Sequence, residues 1–322
     1  MISFIVIGKN EAKNLNRCFK SIIETISYNK LSEYEIIYID SNSTDNSIEI
    51  AQSFSEIKIF KITGIFNAAI ARNIGAKESK GNVLFFIDGD MEIIPEFLPM
   101  VYSKNYGLRY NFVSGQFIDY YYDDNGRFLH KAKYYGNLRK ERKESTTGGL
   151  FLIKNETWKS VNGMNTKYKR NQDFDLALRL SKKGVKLLRK KELLARHYTI
   201  SYNDSRRMWK MLFNGSTFFR VVLLRDHYKN LDLLKVYFRS NYTSILLFFS
   251  ILVAIFFKFF FLIIIYFTAI FLRSVINMKR DIFHFPSRFI YFLFHDTAIW
   301  FALLLFWPKE VRKVEYIEIK RG

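Results

Sequence analysis

The chain has 322 residues, with 50 Lys and Arg against 30 Asp and Glu, for a formal net charge of +20. Hydrophobic residues make up 49% and aromatics 18%, which excludes intrinsic disorder. A single cysteine, Cys18, with 15 glycines and 4 prolines, excludes a disulfide scaffold, an all-cysteine metal site and a linker-rich chain.

In chain order, Ile2–Ile7 is a short apolar run rich in β-branched residues and predicts a strand. Gly8-Lys9-Asn10 follows, and then Leu15, Cys18, Phe19, Ile22 and Ile23 fall at helical spacing. Glu35–Ile39 reads as a second strand ending at Asp40, and the polar turn Asn42–Asp45 caps a helix that runs through Phe54. Ile57–Ile62 is a third strand, and Ala68–Glu78 a helix stopped by Lys80-Gly81. Val83–Ile87 is a fully apolar fourth strand ending at Asp88-Gly89-Asp90. Four such units predict an α/β fold with a Rossmann-like, mostly parallel sheet covered on both faces. Ligands bind such sheets outside the carboxyl ends of the strands, where Asp40 and Asp88 both fall.

Two acids one residue apart after a buried strand can converge on one divalent ion that also holds a diphosphate. A Walker-B strand would need a G-x-x-x-x-G-K-[ST] loop, and the sequence has none. A phosphoaspartate phosphatase would want Thr where Glu92 stands. Further along come Thr147-Gly148-Gly149-Leu150, then Trp158, Asn162-Gly163-Met164 and Asn171-Gln172-Asp173-Phe174-Asp175-Leu176. With Asn10-Glu11, Asp40-Ser41-Asn42-Ser43-Thr44-Asp45, Ala71-Arg72-Asn73-Ile74-Gly75 and Asp88-Gly89-Asp90, this order resembles the family 2 glycosyltransferases, which have the GT-A fold. The resemblance covers residues 2–225.

The resemblance implies a donor site made by Gly8, Asn10, Asp40, Arg72, Asp88 and Gly89. In it, Asp40 would accept from a uracil-type N–H and Arg72 would stand near the diphosphate. It implies Asp88 and Asp90 as the pair at a Mg²⁺ or Mn²⁺ ion, with Asp90 the direct ligand and His197 completing the site. Asp173 matches the general base of inverting transfer. Gln172 departs from the family, which shows Glu there. The stretch Ser205-Arg206-Arg207-Met208-Trp209 lacks the Gln-x-x-Arg-Trp of processive synthases, which points to transfer of a single sugar.

The charge is unevenly spread. Residues 1–126 hold 12 Lys and Arg against 16 acids, residues 127–240 hold 28 against 9, and the last 82 hold 10 against 5. The basic middle, with the run Arg127–Lys143, directly precedes the most apolar part of the chain, which suits a surface facing anionic headgroups or phosphates. In 205–224, aromatics interleave with Arg206, Arg207, Lys210 and Arg220, as in an interfacial helix, although a core helix of the catalytic domain fits equally.

The domain layout expected is a GT-A domain over 1–225, a linker over 226–240, and a transmembrane helix or short hairpin folded at Lys258 over 241–272. A second transmembrane or interfacial helix follows over 289–307, with His295 and Asp296 in its middle, and then a basic cytoplasmic tail over 308–322. The amino terminus lacks a basic n-region, and the tail is basic, so the catalytic domain is expected on the cytoplasmic side of the cell inner membrane. The partners expected are a nucleotide-sugar donor, a lipid-linked glycan acceptor and the membrane, with no nucleic acid. The rivals are a polyprenyl-phosphate monosaccharide synthase and a non-catalytic lipid-binding GT-A scaffold.

Overall fold

A computed structural model describes every residue except 124, 145–147, 201–204, 278–284 and 321–322. Thr147 of the Gly-Gly stretch, Lys279 and Arg280 between the apolar runs, and Arg321 of the tail therefore lie outside the described residues.

The first half follows the apolar runs closely. It runs β1 (Ile2–Gly8), α1 (Ala12–Tyr28), β2 (Tyr34–Asp40), α2 (Ser47–Gln52), β3 (Ile57–Ile62), α3 (Ala68–Glu78) and β4 (Val83–Asp88). The four strands are parallel in the order β3-β2-β1-β4. Successive side chains of a strand point to opposite faces, and both faces are buried. Phe4 and Val6 pack with Leu15, Cys18, Phe19 and Ile22 of α1. Ile5 and Ile7 pack with Ala69, Ile70 and Ile74 of α3.

Gly75 lets α3 approach this closely, because a Cβ there would stand 2.2 Å from Ile5 Cγ2. Gly75→Ala is expected to lower stability by about 1–3 kcal/mol through overpacking. In urea unfolding, Gly75→Ala combined with Ile5→Ala should lose less than the sum of the two single changes.

The second half widens the sheet with strands of mixed direction. They are β5 (Met91–Ile93), β6 (Phe112–Tyr122), β7 (Phe128–Lys133), β8 (Phe151–Lys154) and β9 (Leu187–Ile200), with α4 (Gln172–Lys182) between β8 and β9. β8 joins β4 and β6 antiparallel, and β9 lies parallel to β6. The basic run 127–143 includes β7, whose residues are all exposed. Of these later strands only β8, with Leu150–Ile153, carries a continuous apolar run.

The chain divides into two compact units, Met1–Ser201 with Lys309–Gly322, and Tyr202–Pro308. The tail adds a strand, β10 (Tyr316–Glu318), antiparallel to β3. Ile319 N–H donates to Ile59 O at 2.8 Å, and Tyr316 Oη donates to Glu78 at 2.6 Å. This pairing covers an edge that would otherwise expose unpaired backbone groups.

The second unit, taken by itself, is helical: α5 (Ser205–Phe213), α6 (Phe219–Asp226), α7 (Leu231–Ser240), α8 (Tyr242–Phe257), α9 (Phe261–Asn277) and α10 (Phe285–Leu305). At Lys258, which takes a left-handed conformation (φ 54°), the long apolar run breaks into two helices. α10 is the one described helix that is long and apolar enough by itself to cross a membrane.

Candidate active site

Strand register brings the sequence-distant residues together. Gly8 at the end of β1 pairs with Asp40 of β2, while Ile7 pairs with Asp88 of β4. The two acids therefore flank the end of one strand. Above it, the loop after β1 is laced to the loop after β2. Asn10 N–H donates to Ser43 Oγ at 2.9 Å, Thr44 N–H to Asn10 Oδ1 at 2.8 Å, and Ala12 N–H to Asp45 Oδ2 at 3.0 Å. Asn10 and Asn42 both sit at positive φ, 57° and 59°, where a short polar side chain is tolerated.

Asp40 is completely buried. Its carboxylate accepts from Tyr38 Oη at 3.1 Å and from Ser43 N–H at 2.8 Å. Here Asp40 holds the turn that follows it.

Each polar member of Ala71-Arg72-Asn73-Ile74-Gly75 has its own task. Asn73 clamps the backbone of Met164, accepting from its N–H at 2.9 Å and donating to its carbonyl at 2.7 Å. Arg72 is buried and donates through Nη2 to Asp88 Oδ1 at 2.5 Å and to Gly149 O at 3.1 Å. Its Nε and Nη1 are buried with no partner. Burial pushes the Asp88 carboxyl up against the downward pull of Arg72.

Asp90 and His197 are joined by the sheet. β5 pairs with β9 so that His197 stands opposite Met91, and β9 pairs with β6 so that His197 stands opposite Asp119. The imidazole bridges two carboxylates, with Nδ1 2.7 Å from Asp119 Oδ1 and Nε2 3.1 Å from Asp90 Oδ2. Burial pulls its pKa down, but the hydrogen bonds to Asp119 and Asp90 outweigh that and raise it to about 10. Glu11 joins the group, its pKa raised to about 7 by burial and by the charge of Asp90.

Asp173 sits in the first turn of α4, half-buried, after Asn171 at φ 61°. Its charge acts on Asp88, Tyr134 and Tyr135, so it belongs to the same cluster. Asp175, two residues on, is turned inward onto Arg179 at 2.8 Å. Beside Asp173, Asn171 Nδ2 and Gln172 Oε1 are buried without partners.

The fit of a divalent cation rests on Asp90, whose Oδ1 is buried and unpartnered, amid the acids Glu11 and Asp88. Among the described residues no group of three or more His, Cys, Asp or Glu stands ready as a metal cage. Mg²⁺, however, typically takes only one or two carboxylates and completes its shell with substrate phosphates and water. Asp90 meets that requirement as the carboxylate, and a deprotonated His197 would add a nitrogen donor, with Asp119 orienting the ring from behind. Asp119 and Glu11 are the members that sequence reasoning did not assign. Glu11 lay inside the quoted opening motif, but Asp119 carries no local signal, since only strand pairing puts it beside His197.

A parallel sheet with acids gathered at its strand ends defines an α/β fold that binds its ligand at the carboxyl edge of the sheet. Residues 3–161 match the family model "Glycosyl transferase family 2", so this stretch is a family 2 glycosyltransferase domain with the GT-A fold. Asp173 and His197 lie beyond the matched stretch. The chain is 28% identical over 160 residues to "Glycosyltransferase AglE" of Haloferax volcanii, covering 47% of this chain and 52% of that one. It is 31% identical over 114 residues to "Poly(ribitol-phosphate) beta-N-acetylglucosaminyltransferase TarP" of Staphylococcus aureus, 34% of each chain. It is 32% identical over 104 residues to "Dolichol-phosphate mannosyltransferase" of Pyrococcus furiosus, 30% of this chain and 28% of that one. The chain thus spans about half the length, or less, of these relatives.

Proposed function

We propose that the protein transfers a single sugar, with inversion, from a nucleoside-diphosphate donor to a membrane-associated acceptor. The acceptor in this reading is a polyprenyl-diphosphate-linked glycan at the cytoplasmic face of the inner membrane, as in envelope polysaccharide synthesis. The observation that carries the reading is the separation of roles within one cluster. Asp90 pairs with His197 and Arg72 pairs with Asp88, while Asp173 is carried by a different element, the first turn of α4.

Asp173 accepts the proton of the acceptor hydroxyl as that oxygen attacks the anomeric carbon from the face opposite the leaving group. The buried N–H groups of Arg72 supply fixed positive charge near the departing diphosphate. Asp90 and His197 would hold Mg²⁺ or Mn²⁺, which when bound supplies Lewis-acid charge for the leaving nucleoside diphosphate. Asp119 keeps Nε2 of His197 aimed at Asp90. Asp119→Ala is therefore expected to raise the metal concentration for half-maximal turnover by about 10–100-fold, with little change at saturating metal.

The test is nucleoside diphosphate release from a panel of UDP-, GDP- and dTDP-sugars by full-length protein in detergent, with and without a lipid extract and a chelator. Turnover of one donor that is stimulated by lipid, and lost on chelation and in Asp90→Ala, supports the reading. No donor turned over under any condition would overturn it in favour of a non-catalytic scaffold. The likeness to a dolichol-phosphate transferase favours one second reading, a polyprenyl-phosphate monosaccharide synthase. A lipid phosphate needs no strong base, so turnover that survives in Asp173→Ala would select that reading.

A further inference from the structure

The helical unit leaves Met1–Ser201 and returns to the same folded unit at Lys309, where β10 pairs with β3. One sheet cannot be shared across a membrane, so both ends of the helical unit lie on one side of any bilayer it meets. Between them, α8 and α9 pack as the two arms of a hairpin, with Ser250 Oγ of one donating to Leu262 O of the other at 3.0 Å. A hairpin enters and leaves by one face. Its arms have 16 and 17 residues, about 24–26 Å of helix against a hydrocarbon thickness of about 30 Å.

That count leaves α10 with no crossing to make, although its 21 residues are long enough. Within the unit α10 packs on the base of the hairpin, where Trp300 stacks on Phe248 and donates to Ser244 O at 2.9 Å, and it is flanked by two further helices. Along its first half lies α5, whose Trp209 Nε1 donates to Ser287 Oγ at 3.0 Å and whose ring meets Tyr291 and Phe294. Along its second half lies α6. Val221 packs on Ile299 and Ala302, Phe219 meets Phe306, and Arg225 donates to the carbonyls of Leu303 and Phe306. α5 carries Arg206, Arg207 and Lys210, and α6 carries Arg220 and Arg225. Charges are costly at the centre of a bilayer, so helices bearing five of them stay at the surface and hold the flanked face of α10 there.

The polar and apolar ends of the unit are also separated. At the base of the hairpin, buried Asp296 of α10 faces His295 at 3.0 Å and Arg273 of α9 at 3.6 Å, and Arg273 Nη2 donates to Ser240 O at 2.9 Å. At its tip, Phe256, Phe257, Phe259, Phe260 and Phe261 are 53–75% exposed and flank a single charge, the exposed Lys258, against the five cations of α5 and α6. Residues 202–308 hold 13 Lys and Arg against 5 Asp and Glu, which complements an anionic lipid surface.

We propose that this unit is a monotopic anchor. The α8–α9 hairpin dips phenylalanine-first into an anionic bilayer, while α5, α6 and α10 lie in the headgroup plane and no helix crosses. The inference rests on the membrane association proposed above and not on the transfer chemistry, and its readout is labelling, which stands whether or not a donor is turned over.

Full-length protein would be added to preformed vesicles of phosphatidylethanolamine and phosphatidylglycerol, with single cysteines at Phe259, Pro286 or Lys309. An impermeant maleimide would be supplied outside or sealed within. Native Cys18 is buried, so the parent protein gives the background. The expected result is flotation with the vesicles, labelling of Pro286→Cys and Lys309→Cys from outside only, and no labelling of Phe259→Cys from either side. Labelling of Pro286→Cys from within would show that α10 crosses, and labelling of Phe259→Cys from within would show that the hairpin spans. Either result overturns the proposal. So does protein that stays out of the floated fraction as a dimer, since a second copy would then cover the apolar faces.

Discussion

Replacing Asp173 by Asn is expected to lower kcat by roughly 10²–10⁴-fold, the usual worth of a positioned general base, while leaving the donor dissociation constant nearly unchanged. The carboxylate is half-buried in the first turn of α4, and the amide keeps its shape while removing its ability to accept a proton. Asp175, which looks equivalent in sequence, is buried against Arg179. Asp175→Asn is therefore expected to appear mainly in stability. Single-turnover transfer beside donor titration separates the two. A retained kcat in Asp173→Asn would remove Asp173 from the mechanism and shift the reading toward a phosphate nucleophile, which arrives already ionised.

Gly149→Ala is the second large effect. An added Cβ would stand 1.8 Å from Asp88 Oδ2 and 2.9 Å from Arg72 Nη2. The nearest atoms are those of the Asp88 carboxylate, which must swing away and break its 2.5 Å pair with Arg72. Transfer should fall by at least about 10²-fold, the scale on which loss of one preorganised charge-stabilising donor acts, and donor binding should weaken with it. The fold should survive, because the clash involves side chains of the cleft and not the packed layers. Unchanged donor affinity with a normal melting temperature would show that the Arg72–Asp88 pair plays no part in holding the diphosphate.

The two variants differ in what reports them. Asp173→Asn acts at one proton, so binding persists while turnover is lost. Gly149→Ala acts through geometry, so binding and turnover fall together. That contrast makes the pair more informative than either alone.

What the sequence determined by itself was the parallel half of the sheet and the acids at its strand ends. The first four strands are short, β-branched-rich and mostly buried runs, so each announces a strand without reference to its neighbours, and Asp40 and Asp88 mark where two of those runs stop. The glycosyltransferase motifs were legible for the same reason, since each motif is local. The later strands were not, because β6 and β9 mix polar and apolar residues and owe their state to pairing. Only the tertiary structure decided that Asp119 stands behind His197, that Asp40 caps its own loop through Ser43, and that the basic tail returns as β10. Each of these depends on register between segments far apart in the chain, and a one-residue slip in register would carry a side chain to the opposite face of the sheet.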